Sequence, residues 1–351
     1  MYPHPLQQAM NSATFSAFKV AFQIFFAVLS FIINLFLIYL IINKSTKKMG
    51  NYRHLMTLLC CFSIFFSAMD VIVRPILHSH GHATYMMMDL QDRAIPMWMG
   101  RIMICGMSGC FGIVIYGIAI HFIYRYFALQ RYGKLGWFQT RYLPLWFSIP
   151  LIGGLVWGSI SFYLLPMNPI TSEYISPTIE EMFGMDINQT AYTAAMFAVP
   201  SENGQLEFNW MCGAGFLSFL VIMSIPLSIV FFIGIQTYGK IKELPQSKLG
   251  LSLQVQLYKA LVAQTLIPFF LLFLPFAIIF ICPFLKIECD FLTTYSFFVY
   301  ALYPAVDPLP NIFYIASYRK SLIEMFQWRR CRNAKVHIAP ESEASRETNS
   351  I

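Results

Sequence analysis

Apolar positions along this chain neither alternate nor keep to one helical face; they arrive in unbroken blocks. Seven charge-poor runs of about 20 residues stand out, over 20–42, 55–73, 102–122, 143–165, 214–235, 260–281 and 291–315. None shows the strict alternation of a barrel wall. Lipid offers no partner to backbone N–H and C=O groups, so runs of this length span as helices. The pattern predicts an all-α membrane protein, a seven-helix bundle over 20–315. A short polar segment, 1–19, precedes it. It carries no basic start like that of a cleaved leader, so the first run reads as a retained signal-anchor.

Beyond the seventh run, "SYRKSLIEMFQWRR" sets Leu322, Ile323, Met325, Phe326 and Trp328 among basic residues. This predicts an amphipathic helix over 316–331, lying on the inner leaflet, with Cys331 placed for palmitoylation. The tail over 332–351 is polar and expected to be disordered, with Ser and Thr residues open to phosphorylation.

Composition agrees with the block pattern. Apolar residues make up 57% of the 351 and charged ones only 12%, about half the charged share of an average soluble domain. The net charge of +7 matters through its placement. One side of the membrane collects Lys44, Lys47, Lys48 and Arg53, then Arg125, Arg131, Lys134 and Arg141, then Lys240, Lys242, Lys248 and Lys259. The tail adds Arg319, Lys320, Arg329, Arg330, Arg332, Lys335 and Arg346 to that side. The other side holds Lys19, Arg74, Arg93, Arg101 and Lys286. The asymmetry predicts a cytoplasmic C-terminus and an N-terminus outside. Asn188-Gln189-Thr190, an N-glycosylation acceptor, then falls in an acidic outer segment. Asn43-Lys44-Ser45 falls inside.

Ionisable residues within spans are expensive and point to function. Asp70 lies toward the outer end of the second span, with Arg74 one turn later on the same face. The pair reads either as a hydrated ion pair or as part of an outward-facing ligand pocket. Asp307 lies deep in the seventh span within "YPAVDPLPN", where Pro304, Pro308 and Pro310 remove N–H donors and bend the helix. Pro268 and Pro275 do the same in the sixth. Asp307, Pro308, Pro268 and Pro275 are therefore the candidate switch and hinge residues. His121 and Arg125 sit one turn apart where the third span meets water. Arg125 is either a snorkelling cation or a docking residue.

"HSHGH" (His78, His80, His82) reads as a solvated outer loop. Its alternate spacing aligns imidazoles only on an extended strand, and no metal site is assigned. Cys282 with Cys289, or Cys105 with Cys212, are the outward-side disulfide options. No catalytic triad, phosphate loop or metal-binding helix motif is present, so neither an enzyme nor a cofactor is expected. No internal repeat marks a transporter.

Four strings sharpen the assignment: "KSTKKMGNYRHLM" (44–56), "HFIYRYFA" (121–128), "LQVQLYKALVAQTLIP" (253–268) and "YPAVDPLP" (303–310). They resemble the nematode Str-type serpentine chemoreceptors, G-protein-coupled receptors, along nearly the whole chain. The resemblance implies an olfactory-type receptor in the ciliary membrane of chemosensory neurons. It would bind a small odorant or tastant and activate a heterotrimeric G protein, with a receptor kinase or arrestin as further partners at the tail. Tyr124-Arg125-Tyr126 stands where rhodopsin-like receptors carry Asp-Arg-Tyr, so the arginine is kept and the acid is not. His121, Tyr124, Arg125 and Tyr126 become the coupling candidates. Asp307-Pro308 replaces Asn-Pro, and Asn311 stands where a Tyr is usual. The third-span position of the common outer disulfide falls at Gly100. Alternatives are a seven-helix ligand-gated channel of the insect odorant-receptor kind, which has an inside N-terminus, and a small-solute transporter.

Glycan on Asn188 and none on Asn43 is the expected result of peptide-N-glycosidase shift assays on the two Asn→Gln variants. The reverse pattern overturns the orientation.

Overall fold

The computed structural model describes residues 13–130, 134–200, 205–243, 248–285, 287, 290–325 and 327. Seven helical crossings are present. They are α1 (Ala13–Lys44), α2 (Tyr52–Val73), α3 (Met97–Leu129), α4 (Leu143–Leu164) and, after a short α5 (Pro169–Phe183), α6 (Trp210–Glu243). The sixth crossing is α7 (Lys248–Pro268), a π-helical turn Phe269–Phe273 and α8 (Leu274–Leu285). The seventh is α9 (Asp290–Val306) and α10 (Leu309–Tyr314), and residues 316–325 continue as a further helix. Six crossings are long and apolar enough to span by length and composition. The seventh falls short because Asp307 and Pro308 divide it into pieces of 17 and 6 residues. Cys331 and the tail lie outside the described residues.

α3 is the hub. In its membrane-length window 72% of residues are buried, against 11% for α6. It also overruns the run 102–122 at both ends, so Arg125 is only 2% exposed. The expectation of a cation at the water boundary is corrected here: neighbouring helices enclose that turn. Glycines bring α3 against α4. A Cβ on Gly109 would lie 2.6 Å from Gly154 O, and one on Gly112 2.6 Å from Gly153 O. Without a hydrophobic drive between helices in lipid, such close backbone approach is what small residues supply.

The end of the bundle opposite the basic loops carries a cap. Strand β1 (Ile76–His80) turns through Gly81, at φ +54°, into β2 (Ala83–Asp89), and β2 pairs antiparallel with β3 (Thr190–Met196). In register, Tyr85 faces Ala194 and Met87 faces Tyr192. Alternate side chains go to opposite faces. Leu77, Met86, Met88, Ala191 and Ala195 join the core of the bundle. Tyr85, Met87, Tyr192, Ala194 and Met196 meet Ile175 and Ile179 of α5 in a second core. The sheet is thus a middle layer between bundle and helix. A strand buried on both faces reads as a continuous apolar run, "YMMM", rather than as alternation. That is why the hydrophobic pattern does not announce it. A smaller ribbon, β4 (Ala198–Pro200) with β5 (Leu206–Phe208), follows.

The expectation of a solvated "HSHGH" loop is therefore wrong. His78 and His80 are strand residues, and His78 is fully buried, edge-on to Tyr85 and Phe183. Cys282 is disulfide-bonded; Cys289, one expected partner, lies outside the described residues. Cys105 and Cys212 are both free, so the second pairing is excluded.

Burial first, and the nearby His80 second, push the His78 imidazole from 6.5 down to about 3. Between those values the unfolded cap binds a proton that the folded cap refuses, so stability falls as pH drops from about 6.5 toward 3. Hydrogen exchange across β1–β3 is expected to quicken over that window, and His78→Phe to flatten the dependence.

Candidate functional site

Polar side chains inside the crossings gather at the seventh-helix break and at the basic end. At the break, Pro308 has no N–H, so the carbonyl of Pro304 loses its partner one turn later. Asn34 of α1 supplies one, its Nδ2 donating to Pro304 O at 3.0 Å. The carbonyl of Asp307 is freed as well, because Asn311 N turns to Pro308 O at 3.2 Å. Gln264 of α7 donates to it from Nε2 at 3.1 Å. The Asp307 carboxyl accepts from Ser63 Oγ of α2 at 3.2 Å and from the Tyr303 hydroxyl. Three helices therefore mend one break in a fourth. A cavity of about 10 Å³ lies against Asp307, Ser63 and Gln264, at the lower limit for a single water. In the sixth crossing the π-helical turn lies between Pro268 and Pro275.

At the basic end, Arg125 lies with its guanidinium carbon 3.4 Å from the ring centroid of Tyr52, and Nη1 donates to Gln254 Oε1 at 3.2 Å. Nε and Nη2 have no hydrogen-bond partner among the described residues. The charge is thus held by an aromatic face and a neutral amide in place of a carboxylate. Tyr52 is itself fixed: its hydroxyl pairs with His121 Nδ1 at 3.1 Å, and its backbone N donates to the Tyr124 hydroxyl at 3.1 Å. Tyr124 in turn donates to Met49 O at 3.3 Å. Next to Met49 stands Gly50 at φ +55°, a backbone conformation that favours glycine. Tyr126 points elsewhere, under Lys240 of α6 at 5.3 Å. Gln256 Oε1 accepts from Ala316 N at 2.9 Å and anchors the start of the helix over 316–325.

Asp70 and Arg74 part company. Asp70 is 2% exposed and accepts from Gln23 Nε2 of α1 at 3.4 Å, near the buried Tyr300 of α9. Arg74 caps α2 in the left-handed region at φ 51° and is exposed. They share a helical turn, but Arg74 leaves the helix there, and the expected ion pair does not form. Asn188 is exposed on a short turn before β3, its Nδ2 donating to Asp186 Oδ1 at 3.1 Å. Under the sheet, Ser108, Ser161 and Trp157 form a hydrogen-bonded group, with Ser108 Oγ 2.8 Å from Ser161 Oγ and Trp157 Nε1 3.1 Å from Ser108 Oγ. A cavity of about 10 Å³ sits there against Thr84, Thr193 and Phe276.

Apart from Asn34 and Ser63, the side chains of the two polar centres lie on the four strings singled out in the sequence. Residues 19–323 match the family described as serpentine type 7TM GPCR chemoreceptor Str. The chain belongs to this family. It is 30% identical over 307 residues to "Serpentine receptor class r-10" of Caenorhabditis briggsae, covering 86% of this chain and 88% of that one. The Caenorhabditis elegans protein of that name is 28% identical over 298 residues, covering 84% and 86%. "G-protein coupled receptor str-217" of C. elegans is 30% identical over 296 residues, covering 83% and 85%. This member of the Str family is a multi-pass membrane protein and a chemoreceptor of the G-protein-coupled type.

Sequence reasoning named Arg125, His121, Tyr124, Asp307 and Pro308. It missed Tyr52, Asn34, Ser63, Gln254 and Gln264. The usable signal was polarity: Asn34 and Gln264 are amide side chains inside apolar runs, and each donates to a carbonyl at the seventh-helix break.

Gln264→Leu strips the donor from a buried carbonyl, at a cost of about 1–3 kcal/mol. A lowered thermal midpoint in lipid nanodiscs is expected, with a similar drop for Asn34→Leu.

Proposed function

We propose that this receptor binds a small environmental chemical in the half of the bundle nearer the sheet and activates a heterotrimeric G protein at its basic end. In this reading the charge asymmetry sets the sheet outside and the basic loops in the cytoplasm. The observation that carries it is Arg125, buried between Tyr52 and Gln254 and paired with no acid among the described residues. A cation withdrawn into the bundle, with two donor nitrogens unpaired among the described residues, is poised to be exposed when one of its neighbours moves.

The neighbour that moves is α7. The sheet grips the sixth crossing through Thr84 Oγ1, which donates to Ile279 O of α8 at 2.9 Å. Between α8 and α7 lies the π-helical turn, a form that marks hinges and functional sites. Ligand pressing on the sheet and on Phe276 shifts α8. The turn passes the shift to α7, Gln254 withdraws, and Arg125 is released into a cleft bounded by the second and third inner loops. Gln264 and Asp307 keep α7 against the seventh crossing and set the balance between the two states. The ligand shifts that balance only by its differential affinity for them. Asp70 with Gln23 and Tyr300 tunes the ligand end from the side of α1, α2 and α9. Glycan on Asn188, palmitate on Cys331, contact of the helix over 316–325 with lipid, kinase or arrestin at the tail, and a ciliary location complete the proposal.

Arg125→Ala is expected to lower ligand-stimulated nucleotide exchange on a reconstituted G protein by on the order of tenfold or more, with surface expression intact. Gln254→Leu is expected to raise exchange without ligand. Normal coupling in the alanine variant, or ligand-evoked current that persists with G proteins blocked, overturns the reading.

A further inference from the structure

The cap roofs the bundle, and the cavity beneath it is water-sized. A larger opening lies on the side. A groove of about 540 Å³ runs between α2, α3 and α4, in the half nearer the sheet. That volume falls within the roughly 300–1,000 Å³ of small-ligand sites. Gly106, Gly109 and Gly158 line it together with Phe65 and Phe162, and the glycines, having no side chain, are taken as its floor. Leu155 and Tyr163 on its lip are 70% and 71% exposed, so it opens toward lipid.

Glycines explain a trough but not an occupant. Arg101 supplies that. It stands in the second turn of α3, next to Ile102, which lines the groove. Its guanidinium carbon lies 4.1 Å from the Phe162 ring centroid, and Nη2 donates to Phe162 O at 2.8 Å. An arginine that merely snorkels extends to the headgroups; this one is folded onto the groove wall and held. No carboxylate among the described residues forms an ion pair with it. A guanidinium offers two edges of paired N–H donors, and one bond to Phe162 leaves an edge whole. Trp98, one turn earlier and 62% exposed, and Tyr163 mark this level as the headgroup boundary.

We propose that the groove binds a single-chain amphipathic acid from the bilayer, its carboxylate on the open edge of Arg101 and its apolar body along the glycine floor. A planar fork matches a carboxylate with two parallel hydrogen bonds. A sterol hydroxyl offers no such match, and a two-chain phospholipid leaves one chain outside the trough. The site is separate from the cavity under the sheet and from the coupling end.

The test is photo-crosslinking of the full-length receptor in nanodiscs with a diazirine-bearing long-chain fatty acid. A headless alkyl diazirine and a diazirine sterol serve as comparison probes, and labelled peptides are mapped by mass spectrometry. The acid is expected to label α4 around Ser159–Tyr163 and the other probes not to prefer it. Arg101→Gln is expected to weaken labelling by on the order of tenfold. Gly106→Leu fills the floor, and its Cβ would meet only Met69 Cε at 3.9 Å, so the helices need not move. Labelling should be lost in that variant, and in Ser159→Trp, whose change lies on the exposed lipid face. Equal labelling by the headless or sterol probe overturns the proposal, as does labelling by the acid that survives Arg101→Gln and both filling variants. The readout involves no G protein, so its failure and that of the signalling reading are distinguishable.

Discussion

In hydrocarbon every backbone carbonyl needs a partner supplied by the protein, and the break at Asp307–Pro308 leaves the carbonyls of Pro304 and Asp307 without a helical one. The arrangement of the bundle follows from how that debt is met. Asn34 brings α1 to Pro304, Gln264 brings α7 to Asp307, and Ser63 brings α2 to the Asp307 side chain. A defect confined to one helix becomes the point at which four crossings are registered against one another.

The basic end obeys the same economy of polar groups. A buried guanidinium with no carboxylate partner among the described residues is tolerated because Tyr52 lends it a ring face and Gln254 an oxygen. Tyr52 is aimed by His121 and Tyr124, and Tyr124 by the first loop at Met49. Loss of the acid beside the arginine therefore does not leave the charge unattended. The restraint comes from residues on α2 and α7 in place of a neighbour in sequence.

At the opposite end, one short sheet separates two cores. Its bundle face shares the glycine-zipped α3–α4 packing, and its other face belongs to α5. Thr84 joins the cap to the sixth crossing, and in the proposed mechanism the roof over the cavity and the helix that moves are parts of one mechanical path. The groove between α2, α3 and α4 lies outside that path.

The seven crossings, their helical nature and the basic bias of alternate loops were legible in the sequence, because lipid imposes them on any chain segment by segment. Arg125, Asp307 and the prolines were legible too, since charge and missing N–H groups within apolar runs are costly wherever they stand. The partners were not. Asn34, Tyr52, Gln254 and Gln264 acquire their roles only from being opposite a particular carbonyl or charge on another helix. The separation of Asp70 from Arg74 depended on where α2 ends. The sheet hid because burial on both faces erases the alternation that betrays a strand, and His78 passed for a solvated residue for the same reason. Local chemistry, which the sequence carries in full, determined what each segment must do about water and lipid. Pairing between distant segments has no local signature, and the tertiary structure alone decided it.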